Sequence, residues 1–136
     1  MPQVTINWTA FVVAGLAALA YGFIAVGPLT IRIWMPLITK AKIKPFNLKD
    51  RPDIIVVLVA GPFVSTFVLC LSIALIGITT WWLGLIAGAI AWIGFGAMTS
   101  LQSAATASWP YSLWLYGFLT QLLLYAGQGI LFALWR

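Results

Sequence analysis

Four long apolar stretches, over about residues 8–34, 54–78, 81–102 and 111–135, run along the chain with only short polar gaps between them. Each has about the 20 apolar residues that a helix needs to cross a bilayer. Each is apolar on every side of a helical wheel, without the apolar/polar alternation of a barrel strand. The pattern predicts an all-α polytopic membrane protein, four transmembrane helices in a bundle forming one domain over 1–136. It leaves no length for a soluble domain beside them.

The first stretch is interrupted. In "YGFIAVGPLTIRIWMP" (Tyr21 to Pro36), Gly27-Pro28 and then Arg32 fall inside what otherwise reads as one helix. Pro28 removes an intrahelical hydrogen bond, so it is expected to kink the first helix, with Gly27 giving room for the bend. Arg32, one turn on, is expected to reach phosphate with its guanidinium while its methylenes stay among lipid tails. Met35-Pro36 brings a second change of direction. The following "PLITKAKIKPF" sets Leu37, Ile38, Ile43 and Phe46 among lysines, a pattern suited to a short segment along the membrane surface.

Composition agrees. The 136 residues are 63% hydrophobic and 7% charged, with a mean hydropathy of +1.08, whereas soluble domains carry roughly 25% charged residues. Seven of the eight tryptophans, all but Trp92, fall near the ends of the expected spans, where an amphipathic indole prefers the headgroup layer. Asp50 or Asp53, and later Ser108 and Pro110, suit the first turns of the second and fourth helices.

Charge sets the expected orientation. Arg32, Lys40, Lys42, Lys44, Lys49 and Arg51, six of the seven basic residues, flank or occupy the first connection, and short loops this basic stay cytoplasmic. Both termini are then expected outside and the 37–53 loop in the cytoplasm of a cell membrane, a bacterial inner membrane by expectation. No basic segment precedes the first apolar run, so that run is expected to be retained, not cleaved. The net charge of +5 reads as topology and lipid contact, with Arg32, Lys40, Lys42 and Lys44 meeting headgroups. No nucleic-acid partner is expected.

Candidate chemistry is sparse. The chain has no histidine, and its two carboxylates, Asp50 and Asp53, lie in the basic connection. Metal sites, haem ligation and carboxylate proton relays find no support, so neither a cofactor nor enzymatic catalysis is expected. Cys70, in the second span, reads as a small apolar filler.

What remains polar inside the membrane is amide and hydroxyl. On the fourth helix Gly117, Gln121, Tyr125 and Gln128 recur at i, i+4, i+8 and i+11, one face of a helix. The third helix carries Gly84-x-x-x-Gly88, then Thr99 and Gln102, and the second has Gly61, Ser65 and Ser72 on one face. Two accounts fit these residues. They are packing seams, where small residues let backbones approach and interhelical hydrogen bonds contribute about 0.6 to 2 kcal/mol each, or Gln121, Gln128, Thr99 and Gln102 line a polar path.

"YGFIAVGPLTIRIWM", with Tyr21, Pro28, Trp34 and Met35 in order, resembles the first-helix signature of the small membrane proteins of the DUF1761 family. The second half is similar to the family too, in Gly94-Phe95 of the third helix, Pro110 before the fourth and the closing Trp135. The resemblance implies a four-helix membrane protein and says very little about activity. The leading expectation is a non-enzymatic membrane protein acting through helix packing, as a homo-oligomer or as an accessory subunit among other membrane-protein subunits, with lipids as further partners. The alternative is a small channel or carrier for a neutral or amphipathic solute.

Overall fold

The computed structural model describes residues 5–25, 27, 30–42 and 52–135. All regular structure among them is helical: α1 (Trp8–Ala25), α2 (Ile31–Lys40), α3 (Asp53–Ile76), α4 (Trp81–Ala91), a π-helical turn (Trp92–Ala97), α5 (Met98–Thr106) and α6 (Tyr111–Leu134). Four helices are long and apolar enough to cross a membrane: α1, α3, the continuous run Trp81–Thr106 and α6. The fold class expected from the hydrophobic pattern is therefore the one observed.

The first span is shorter than its apolar stretch. α1 ends at Ala25, Gly27 lies in a bend, and Arg32 and Trp34 belong to a separate helix, α2, that begins at Ile31. The 18 residues of α1 measure about 27 Å at 1.5 Å per residue, close to a bilayer's apolar thickness. The carbonyls freed by the break are met locally. Thr30 Oγ1 donates to the carbonyls of Ile24 and Ala25, both at 2.8 Å, Trp34 Nε1 donates to that of Gly27 at 3.4 Å, and Tyr116 Oη reaches Ala25 O at 2.6 Å. Pro28, expected to kink the first helix, lies outside the described residues.

Other boundaries have local causes. Asn7 begins α1, its Oδ1 accepting the Ala10 amide at 3.0 Å, a side-chain cap at the free amides of a first turn. Gly77 closes α3 at φ +80°, a left-handed conformation that glycine adopts without steric cost. Asp53 is the first helical residue of α3. Ser108, expected at the start of the fourth helix, sits instead in the turn that ends α5, at φ +56°. α6 starts directly after Pro110.

α6 is the hub of the fold: it touches α1, α2, α3, α4, the π turn and α5. Its most extensive contact is with α4. Along α1 and α3 an aromatic group joins Trp8 and Phe11 to Phe63 and Phe67, with centroids 5.8 to 6.3 Å apart across the two helices. The core itself is built largely of small residues, with Ala10, Ala14, Leu69, Cys70, Ile73 and Phe132 in one cluster. Cys70 is a buried free thiol in that cluster, as its filler reading implies.

Candidate functional site

Gln128 of α6 and Thr66 of α3 are the buried polar side chains of the described interior. The Gln128 amide nitrogen donates to Thr66 Oγ1 at 2.7 Å and to the carbonyl of Ala14 on α1 at 3.3 Å. One amide thus spends both of its protons on two neighbouring helices. In hydrocarbon an unmet amide costs several kcal/mol, so this bond set fixes how α1, α3 and α6 are rotated against one another. Among the described residues no buried side-chain nitrogen or oxygen lacks a partner.

Gly84 and Gly88 of α4 face Gly129 and Tyr125 of α6. A Cβ added at Gly84 would strike the Gly129 carbonyl, one at Gly88 the Tyr125 carbonyl, and one at Gly129 the Gly84 carbonyl. The Gly-x-x-x-Gly seam read from the sequence is therefore consumed inside the chain, between the third and fourth spans. Just beyond it the π turn begins. Trp92, the mid-span tryptophan, meets Tyr125 in a tilted ring contact with centroids 5.5 Å apart, and its Nε1 donates to the Phe118 carbonyl at 3.1 Å. Trp114 Nε1 donates to Ser100 Oγ at 3.0 Å, and Tyr21 Oη to the Thr120 carbonyl at 2.8 Å.

The remaining polar candidates do not converge. Gly117 and Gln121 are half-buried on α6, and Gln121 has no hydrogen-bond partner among the described residues. Thr99 and Gln102 are exposed on α5, and the Thr99 hydroxyl is spent on its own helix, at the Phe95 and Gly96 carbonyls.

A groove of about 320 Å³ lies at mid-span between α3, the third span and α6, with Ser65, Ser72, Phe95 and Tyr125 among its walls. Its two serine hydroxyls donate to backbone carbonyls of their own helix. The face it presents is consequently apolar.

Of the headgroup candidates, Arg32 and Lys40 on α2 and Lys42 just after it are exposed, while Lys44 lies outside the described residues. Among the described residues no three His, Cys, Asp or Glu side chains come together.

The residues that sequence reading missed are Thr66, Ala14, Thr30, Tyr116 and Gly129. A threonine among valines and leucines passes for one more β-branched apolar residue, and a backbone carbonyl carries no sequence signal.

Fold and interior together define a multi-pass, four-helix membrane protein held by one buried amide and one glycine seam. The chain belongs to the DUF1761 family, described as a protein of unknown function, whose model matches residues 9–133. Comparison with curated proteins and with solved structures gives no match.

Proposed function

We propose that the protein is a non-enzymatic membrane subunit acting through helix packing, either as a homo-oligomer or as an accessory subunit of a larger membrane complex. The observation that supports this reading best is the Gln128 bond set: one of the two amides of the fourth helix is occupied by Thr66 and Ala14 instead of facing a path. The glycines free for close approach by another helix are then those with nothing near their Cβ position, such as Gly61 of α3 and Gly94 of the π turn. The same reading places the 37–53 connection in the cytoplasm and both termini outside, in a bacterial inner membrane, because the cations cluster there.

The test compares wild type with Gly61→Leu/Gly94→Leu, measuring native mass in mild detergent and solute flux in reconstituted vesicles. Packing predicts that wild type elutes as an assembly, that the double variant loses subunits while keeping its helicity, and that neither conducts. A monomeric wild type with flux abolished by Gln121→Leu would favour the carrier, since Gln121 is a half-buried amide with no partner among the described residues.

A further inference from the structure

We propose that α2 is a docking surface for anionic phospholipid headgroups, an interfacial helix whose cations and apolar flanks engage a negatively charged leaflet. At about 100° per residue, Arg32, Pro36, Thr39 and Lys40 occupy one continuous sector, and all four are exposed. The opposite side, Trp34, Leu37 and Ile38, is half-buried, and the helix packs on α6. Trp34 is tethered to the connection after α1 through its indole bond to the Gly27 carbonyl. The helix is therefore held with its cationic sector turned away from the bundle.

The edges of that sector carry Ile31, Ile33 and Met35, which are 40%, 57% and 42% exposed. Exposed cations alone would suit any polyanion. Cations bordered by exposed isoleucine and methionine, on a helix that starts six residues after a membrane span ends, suit a surface offering negative charge and hydrocarbon side by side. Charge complementarity extends beyond the helix. Lys42 is exposed just after it, Lys44 follows in sequence, and no carboxylate occurs between residues 31 and 44. Arg32 and Lys40 are eight residues apart, about 12 Å along the axis, so they meet different headgroups and the surface reads leaflet charge instead of enclosing one lipid.

The test titrates the purified full-length protein in detergent with phosphatidylglycerol or phosphatidylcholine and counts retained lipids by native mass spectrometry. Wild type should retain phosphatidylglycerol at least tenfold better, and raising the salt to about 0.5 M before transfer should erase most of that preference. Arg32→Gln/Lys40→Gln/Lys42→Gln should lose it, at up to about fivefold per cation, whereas Arg136→Gln should keep it. Equal retention of the two lipids by wild type, a preference that survives salt, or a preference that survives in the folded triple variant would each overturn the proposal. If the triple variant does not fold, the salt dependence and the Arg136→Gln control decide.

Discussion

Gln121 and Gln128 lie seven residues apart on one helix, have the same chemistry, and end in different states. Gln128 is enclosed because α3 brings a threonine hydroxyl and α1 a carbonyl within reach, while Gln121 is half-buried with neither. Gln128→Leu should therefore lower stability by about 0.6 to 2 kcal/mol, and Gln121→Leu by clearly less, in unfolding titrations from mild into denaturing detergent. A cycle of Gln128→Leu with Thr66→Val should give a coupling of about 0.6 to 1.7 kcal/mol; simple additivity would mean that the 2.7 Å bond contributes nothing. The Ala25 carbonyl allows a second test, because Thr30 and Tyr116 both donate to it. Thr30→Val and Tyr116→Phe should each be mild, since one donor remains. The double variant should cost more than their sum, by about 1 to 3 kcal/mol for an unmet carbonyl, unless water reaches it.

Helices in this chain are specified unevenly. The Gly84-x-x-x-Gly88 spacing announced a close approach in the sequence, and the structure supplies the partner, the Tyr125 and Gly129 backbone of α6. Gly88→Leu should consequently separate α4 from α6 and abolish the folded state, whereas Gly94→Leu, at a position with nothing within 4 Å, should leave helicity near wild type. Circular dichroism on the two purified variants separates them, and equal loss in both would show that glycine is needed there for some other reason than contact. The first apolar stretch was expected to be one kinked helix through Trp34, but α1 ends at Ala25 and a separate helix holds Arg32 and Trp34. Arg32 and Trp34 read as the end of a span because they follow an apolar run, and they fall in α2 because Thr30, Trp34 and Tyr116 can satisfy the carbonyls released at Ala25 and Gly27.

At the scale of the whole molecule, the orientation proposed above puts both termini on one side and the first connection, where the cations cluster, in the cytoplasm. Single cysteines at Gln3 and at Lys44, in a Cys70→Ala background, should react with an impermeant thiol reagent from opposite sides of intact cells. Reaction of both from the same side would remove the four-span topology. α6 organises this arrangement, since it touches every other element, and its interior face is also where the polar residues of the fourth stretch recur.

The number of spans and their helical character were legible in the chain alone. They depend on quantities that run along it: the apolar length needed to cross a bilayer, and the backbone bonds that hydrocarbon obliges a segment to make internally. Which polar groups are enclosed was decided by the tertiary structure. Thr66 and not Ser65 faces Gln128, and Ser65 instead bonds its own helix. The two hydroxyls are neighbours in sequence and about 100° apart around α3, so only the rotation of that helix against α1 and α6 distinguishes them, and that rotation is set by what the facing helices offer as partners.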